Sequence, residues 1–248
     1  MRYLFGPGYE ERLKAFLATR PLLAFDFDGT LAPLIEQPAL ADAGPETRRL
    51  LSILATSHPV VIISGRMRAD VERRFANLPL AGITGNHGLE PWGEDPELER
   101  LVAGWREVLQ RELARLPGVI IEDKRLSITV DYRHAPDLEM TATAIQAVTH
   151  HLPRARLLGG RHADFNIAPA GTAHKGTALQ HYLARFERHS ALYVGDDRTD
   201  EDVFGLDLPG LLSVRVGPRR TSHAAFFIRD QTEVDQLLRT LVDLGRQQ

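Results

Sequence analysis

Short apolar runs alternate along the chain with stretches of helical periodicity. The runs are continuous and end at polar or turn residues, as in strands that are buried on both faces of a sheet. In the first and last parts of the chain they predict strands over residues 21–27, 60–64, 80–84, 191–195 and 212–216. The periodic stretches predict helices over residues 10–19, 45–56, 68–75, 175–186, 199–204 and 234–244. Strands that alternate with helices indicate a Rossmann-like parallel sheet with helices on both faces.

The middle of the chain follows a different pattern. Helical stretches predict helices over residues 97–116 and 137–151, and strand patterning covers residues 119–123, 126–133, 155–160 and 162–169. Because Leu126, Ile128 and Val130 alternate with polar or small residues, one face of this smaller sheet is expected to be buried. We therefore predict an α/β fold in two parts. Residues 1–94 and 169–248 form the core, and residues 95–168 form an inserted α/β domain.

Composition and charge exclude several classes of protein. Hydrophobic residues make up 43% and charged residues 25% of the 248 residues, and the net charge is −3. No global basic field is therefore available to bind nucleic acid or an anionic membrane. The chain has no cysteine, which excludes a thiolate metal site and a cysteine nucleophile. No apolar run approaches the ~20 residues of a membrane span. Charged residues come too early for a signal peptide, so we expect a cytoplasmic protein.

Chemically active residues follow the predicted strands of the core. Asp26 ends the first strand, Ser64 ends the second, and Asp196 follows the run ALYVG. Lys175 opens the helix that precedes that run. In an open parallel sheet, ligands bind beyond the carboxyl ends of the strands. These four side chains are therefore expected to face one crevice.

Asp26 and Asp28 lie in the segment FDFDGT. Two carboxylates at the end of a buried strand are costly unless a cation or hydrogen bonds compensate them, although such a pair can also lie in a solvated turn. Asp26 could attack phosphorus and form an aspartyl-phosphate. Asp28 could protonate the leaving oxygen and then deprotonate the attacking water.

Six segments together resemble the trehalose-6-phosphate phosphatases of the haloacid dehalogenase-like (HAD) superfamily. They occur in the family's order and cover nearly the whole chain: FDFDGTLAPL, IISGR, GNHGLE, IEDKRLSITVDYR, PAGTAHKGTAL and YVGDDRTDEDVF. The resemblance implies a HAD core with an inserted cap domain, a sugar-phosphate substrate and a functional link to trehalose-6-phosphate synthase.

The resemblance also implies a magnesium site. Mg²⁺ prefers hard oxygen ligands together with water and substrate phosphate. The expected ligands are Asp26, the main-chain carbonyl of Asp28 and Asp196, with Asp200 as a supporting or alternate ligand. Carboxylates after a strand can also merely stabilise the start of a helix.

Phosphate oxygens need positive charge and hydrogen-bond donors, which Lys175 and Ser64 could supply. Taken alone, Ser64 could simply cap a helix and Lys175 could lie on a helix surface. Three further residues are expected to contact the sugar phosphate, namely Arg66, Asn86 and His87.

Sugar recognition is expected from the inserted domain. The family's cap carries a Glu-x-Lys pair that grips sugar hydroxyls, and Glu122 and Lys124 match it. Carboxylate and ammonium groups suit a polyol, because each hydroxyl both donates and accepts hydrogen bonds. Many relatives also carry a glutamate where this chain has Asn166, so the third contact here is uncharged.

The resemblance thus predicts hydrolysis of trehalose 6-phosphate. Three alternatives stay open at this point. The first is a phosphatase for another sugar phosphate, such as glycosyl-3-phosphoglycerate or sucrose phosphate. The second is a non-catalytic sugar-phosphate sensor, and the third is a phosphomutase that returns the Asp26 phosphate to a sugar.

Overall fold

A computed structural model describes residues 1–92, 95–159 and 163–246. The helices are α1 Tyr9–Leu17, α2 Pro45–Leu54, α3 Arg68–Arg74, α4 Pro96–Leu113, α5 Leu138–His150, α6 Lys175–Arg185, α7 Glu201–Phe204 and α8 Thr232–Gly245. The strands are β1 Arg2–Tyr3, β2 Leu22–Phe25, β3 Val60–Ile63, β4 Gly82–Thr84, β5 Ile120–Asp123, β6 Ile128–Asp131, β7 Ala155–Gly159, β8 Asp164–Pro169, β9 Ala191–Gly195, β10 Leu211–Val216 and β11 Phe226–Ile228.

The chain divides into two compact units. The first contains residues 1–88 and 174–248, and the second contains residues 89–173. The boundaries predicted from the sequence lie five or six residues inside the second unit, and its role as a cap stays a prediction. Some predicted positions lie outside the described residues, namely Gly93 and Glu94 at the boundary and Gly160 and His162 in two strands.

The first unit is built on a seven-stranded sheet in the order β1-β11-β10-β9-β2-β3-β4. All of its strand pairs are parallel. Every residue of β2, β3 and β9 is buried, which explains their continuous apolar runs. The core includes Phe25, Ile62 and Val194 from the sheet and Leu50 and Leu238 from the helices. The predicted fold class is confirmed.

The second unit has a four-stranded antiparallel sheet in the order β5-β6-β8-β7. Its separate core joins one face of the sheet to α4 and α5, with Trp105, Ile145, Ile128, Val130 and Ile167 buried. Burial alternates along β6, so Thr129 and Asp131 lie on the opposite, polar face. The alternation that was predicted for this strand is therefore present.

Two short strands, one at an edge of the large sheet and the other next to it, were not predicted from the sequence. β1 has two residues and β11 has three, and they pair with each other beside β10. Runs this short show no periodicity that distinguishes them from loops.

None of the helices in the described ranges is long and apolar enough to cross a membrane.

Candidate active site

The centre of the large sheet brings two acidic strand ends together. β2 and β9 are adjacent and parallel, so Asp26 and Asp196 follow them at the same edge. The main-chain N–H of Asp26 donates to the carbonyl of Val194 at 2.9 Å, which extends this pairing by one residue. Ser64 follows β3, the other neighbour of β2. The strand order thus explains why residues so distant in the chain meet.

Three carboxylates and one ammonium group form a buried charge cluster. Asp26, Asp196 and Asp200 offer ligand oxygens that lie within 4.8 Å of one another. Lys175 Nζ lies 3.0 Å from Asp26 Oδ2 and 2.8 Å from Asp200 Oδ1. None of the four residues is more than 4% exposed. Such a cluster of buried charges is typical of a functional site.

The charges of this cluster are strongly coupled. Burial raises the pKa of Asp26 well above its usual value; Lys175 opposes this shift, while Asp200 and Asp196 add to it. Burial acts to lower the pKa of Lys175, but the carboxylates of Asp200 and Asp26 outweigh it and raise that pKa. Within the cluster one ammonium group faces three carboxylates. A divalent cation would neutralise the remaining charge, and carboxylate oxygens are suitable ligands for one.

Asp200 holds the cluster in place through both carboxylate oxygens. Oδ1 accepts hydrogen bonds from Lys175 Nζ at 2.8 Å and from Tyr193 Oη at 2.6 Å. Oδ2 accepts from the main-chain N–H groups of Asp196 and Asp197, both at 2.8 Å. Because four protein donors occupy these oxygens, the geometry favours a supporting role for Asp200 over direct coordination.

Gly29 leaves room for the carboxylate of Asp196, because it has no side chain. Gly29 has a φ of +75°, and a Cβ built there would lie 2.3 Å from Asp196 Oδ2. A side chain at position 29 would therefore be strained and would displace that carboxylate. The glycine of FDFDGT thus serves close packing between two strand ends as well as a tight turn.

Lys175 lies in a position that ordinarily disfavours a cation. It is the first residue of α6, where the helix dipole is positive. His174 caps this helix, accepting from the N–H of Gly176, and Thr177 completes a capping box. The contacts with Asp26 and Asp200 compensate the unfavourable location. The surface-helix alternative for Lys175 is therefore wrong, since the residue is 1% exposed.

Arg66 holds Asp28 in a bidentate ion pair. Its Nε and one terminal nitrogen donate to the two Asp28 carboxylate oxygens, both at 2.7 Å. The other terminal nitrogen donates to Asp70 at 3.0 Å, and the guanidinium lies over the Phe27 ring. The structure thus places Arg66 where it orients Asp28. Its predicted contact with substrate stays a prediction.

The ends of β3 and β4 are tied together by main-chain hydrogen bonds. The N–H of His87 donates to the carbonyl of Ser64, and that of Asn86 donates to the carbonyl of Arg66. Asn86 and His87 both have left-handed φ values, 48° and 58°. Each such residue stores about 1–3 kcal/mol of strain, which is commonly found at functional sites. The His87 ring packs on Gly65, where a Cβ would lie 2.4 Å from Cε1.

The polar sheet face of the second unit carries the predicted sugar-reading residues. Glu122, Thr129 and Asn166 form one cross-strand row. Thr129 Oγ1 donates to Asn166 Oδ1 at 2.7 Å, and Lys124 Nζ lies 4.0 Å from Glu122 Oε2. Arg133, which follows β6, pairs with Asp131 at 2.8 Å. The sheet register therefore aligns Asn166 with Glu122.

Two residues near the charge cluster were missed by the sequence prediction. Tyr193 donates to Asp200, and Arg215 donates to the main chain of Asp196 and Asp197. Tyr193 lies in the apolar run ALYVG, which a buried strand accounts for completely, so nothing in the sequence indicated that its hydroxyl contacts the site. Arg215 had a signal, because a charged residue interrupts the apolar run LSVRV.

Comparison with known proteins agrees with this arrangement. The model of the trehalose-phosphatase family matches residues 24–206. A rice protein described as "Probable trehalose-phosphate phosphatase 9" is 30% identical over 95% of this chain and 73% of its own length.

Two solved structures share the fold. The C-terminal domain of Candida albicans trehalose-6-phosphate phosphatase has a TM-score of 0.79 at 23% identity, over 94% of this chain and 96% of that one. The C-terminal domain of the Candida albicans trehalose synthase regulatory protein has a TM-score of 0.71 at 16% identity, over 94% and 97%. At these identities the structures show the fold alone. The family match covers more than half of the chain, which therefore belongs to the trehalose-phosphatase family.

Proposed function

We propose that the protein hydrolyses trehalose 6-phosphate to trehalose and phosphate, with Asp26 as nucleophile and Mg²⁺ as cofactor. One observation carries the proposal, namely the buried cluster in which Asp26 pairs with Lys175 beside Asp196 and Asp200. Membership of the family supports the substrate. The rice relative, at 30% identity, is described as acting on the same class of compound.

In the first step, a carboxylate oxygen of Asp26 attacks phosphorus in line with the leaving sugar oxygen. The new bond from Asp26 to phosphorus forms as the bond from phosphorus to the sugar breaks. Asp28 gives its proton to the departing oxygen, so the sugar leaves as a neutral hydroxyl. Lys175 and Ser64 bind the remaining phosphoryl oxygens, where negative charge is concentrated in phosphoryl transfer.

In the second step, water attacks the phosphorus of the aspartyl-phosphate. Asp28, now ionised, accepts the proton of that water, and the bond from phosphorus to Asp26 breaks. Inorganic phosphate leaves, and Asp26 returns to a free carboxylate. The bidentate pair with Arg66 keeps the Asp28 carboxylate at one place.

The residues present fit a magnesium ion. Asp26 and Asp196 would hold it with the Asp28 carbonyl, while Asp200 would hold Lys175 and the loop. When bound, Mg²⁺ supplies charge stabilisation to the phosphoryl oxygens and lowers repulsion between them and Asp26.

The polar face of the second unit would recognise the disaccharide. Glu122 accepts and Lys124 donates, so the pair can satisfy both capacities of a sugar hydroxyl. Asn166 is uncharged and already accepts from Thr129. Its amide nitrogen donates to Asp164 Oδ2 at 3.5 Å, and the second proton of that amide could donate to a sugar oxygen.

A substrate panel tests the proposal. Phosphate release would be measured on trehalose 6-phosphate, sucrose 6-phosphate, glucosyl-3-phosphoglycerate and p-nitrophenyl phosphate, each with Mg²⁺ and with EDTA. We expect the highest kcat/KM on trehalose 6-phosphate and loss of activity in EDTA. Preference for another sugar phosphate would contradict the substrate, and full activity in EDTA would contradict the cofactor. A phosphorylated sugar product in place of free phosphate would indicate a mutase.

A sugar-phosphate sensor is the second candidate, because a trehalose synthase regulatory protein shares the fold. For both candidates we expect a functional link to a trehalose-6-phosphate synthase and a cytoplasmic location. Binding of trehalose 6-phosphate without any phosphate release in Mg²⁺ would favour the sensor. The paired Asp26 and Lys175 favour the enzyme, since sensing alone requires no nucleophile.

A further inference from the structure

Arg215 is a buried cation in the middle of the large sheet. It belongs to β10, where its neighbours Val214 and Val216 are also buried, and it is 4% exposed. In the sheet register it lies opposite Gly195, the last residue of β9. An arginine at such a position costs free energy unless its charge and its N–H groups are compensated.

The compensation comes from the loop that follows β9. One terminal nitrogen of Arg215 donates to the main-chain carbonyl of Asp196. The other donates to the carbonyl of Asp197 at 3.0 Å and to Glu201 Oε1 at 3.2 Å. The planar guanidinium thus binds two consecutive carbonyls with its rigid fork, which a lysine cannot reproduce.

The same two residues are held through their N–H groups by Asp200. Its Oδ2 accepts the N–H groups of Asp196 and Asp197. Asp200 belongs to the loop itself, whereas Arg215 belongs to the neighbouring strand. The contact with Arg215 therefore ties this loop to β10, in addition to the hydrogen bond from Tyr193 of β9 to Asp200. Glu201 extends the tie, because its other oxygen accepts the N–H of His223 at 2.9 Å.

We infer that Arg215 is a positioning residue for the cation site, acting through the main chain of Asp196. The Asp196 carboxylate packs on Gly29, so a small shift of its backbone would move it against the FDFDGT segment. Residues that orient metal ligands commonly contribute 10- to 100-fold to metal affinity. This inference rests on the proposed function, because it requires Asp196 to be a metal ligand.

The variants Arg215→Lys and Glu201→Gln test the inference. Arg215→Lys keeps the charge but loses the fork, and Glu201→Gln weakens the outer end of the tie while Arg215 stays in place. Arg48→Lys is the matched control, since Arg48 also donates to two main-chain carbonyls, those of Ala43 and Arg74. Isothermal titration with Mn²⁺ alone would measure metal affinity, and thermal unfolding would verify the fold.

We expect Arg215→Lys to weaken Mn²⁺ binding about tenfold or more. Glu201→Gln should weaken it by a smaller factor, and Arg48→Lys should leave it unchanged. Should Arg215→Lys fail to fold, Glu201→Gln decides by the same measurement. In phosphate release, the Mg²⁺ concentration for half-maximal rate should rise for Arg215→Lys, while kcat recovers at saturating Mg²⁺.

Wild-type Mn²⁺ affinity in both Arg215→Lys and Glu201→Gln would overturn the inference and leave the proposed function intact. A fall in kcat with an unchanged Mg²⁺ requirement would also overturn it, since that result indicates a general structural role. Absence of Mn²⁺ binding to the wild-type protein would overturn the inference together with the proposed metal site.

Discussion

In the first unit, Asp26, Lys175 and Asp200 have side chains at most 6% exposed and lie within 3.0 Å of a charged partner. On the small sheet of the second unit, the Glu122 side chain is 59% exposed and lies 4.0 Å from Lys124, whose side chain is 10% exposed. Buried charges must be paired in a single geometry, because an unpaired one costs several kcal/mol. Exposed charges keep water as a partner and can adapt to a ligand. The difference indicates that the charge cluster of the first unit is preorganised, whereas the Glu122 carboxylate can still adjust to a ligand.

The largest effect is expected at the nucleophile. Asp26→Asn should lower kcat for phosphate release by at least about 10⁴-fold, because an amide oxygen does not attack phosphorus. Circular dichroism should show a folded protein, since Lys175 keeps its contact with Asp200. Asp207→Asn, at an exposed aspartate of the same unit, is the control and should retain full activity. Residual activity within tenfold of wild type would contradict the assignment of Asp26 as the nucleophile.

Removal of the buried cation tests how strongly the cluster is preorganised. Lys175→Met should lower the free energy of unfolding by about 3–5 kcal/mol, because Asp26 and Asp200 would then face each other unpaired. Urea unfolding in EDTA would measure the change. The double variant Asp26→Asn with Lys175→Met should recover part of the loss, since one of the two charges is gone.

The control for this second experiment is Lys14→Met on the exposed surface of α1. It should change the free energy of unfolding by no more than about 0.5 kcal/mol. If Lys175→Met lowers the free energy of unfolding as little as Lys14→Met does, the buried cluster is not the rigid region that we describe.

Truncation of Glu122 and of Lys124 tests the other side of the comparison. Glu122→Ala and Lys124→Ala should each lower kcat/KM for trehalose 6-phosphate by about tenfold or more, since each removes hydrogen bonds between sugar and a charged group. The rate on p-nitrophenyl phosphate should change less than about threefold. Glu112→Ala, at an exposed glutamate of the same unit, should affect neither substrate. Equal losses on both substrates would rule out sugar recognition by the pair.

The smallest effect is expected at Asn166. Asn166→Glu replaces the amide by a carboxylate, and the Thr129 hydroxyl can still donate to it. A hydrogen bond to a charged group contributes roughly 1 kcal/mol more than a neutral one, so kcat/KM for trehalose 6-phosphate should rise about fivefold. A similar rise on p-nitrophenyl phosphate would show that the residue does not read the sugar.

The strands that carry the site could be predicted because burial on both faces leaves a local signature. β2, β3 and β9 are uninterrupted apolar runs, and each ends where a polar residue follows. The short strands β1 and β11 carry no such signature, since only the pairing of β1 with β11 and of β11 with β10 defines them. Arg66 could be predicted as a candidate site residue from the sequence. Its pairing with Asp28 could not, because Asp28 lies 38 positions away and follows another strand.

The sequence by itself determined the chemistry that is available, namely carboxylates at buried strand ends, a lysine at a helix start and a polar face on a small sheet. The tertiary structure decided which of these groups form ion pairs and hydrogen bonds with one another. The order β10-β9-β2-β3 brings Asp26 to Asp196, and Arg215 to the loop that carries Asp196. Hydrophobic patterning acts between neighbours along the chain, whereas the pairing of buried charges depends on strand order and register. The partners of Asp28 and Asp200 could therefore be found only in the folded molecule.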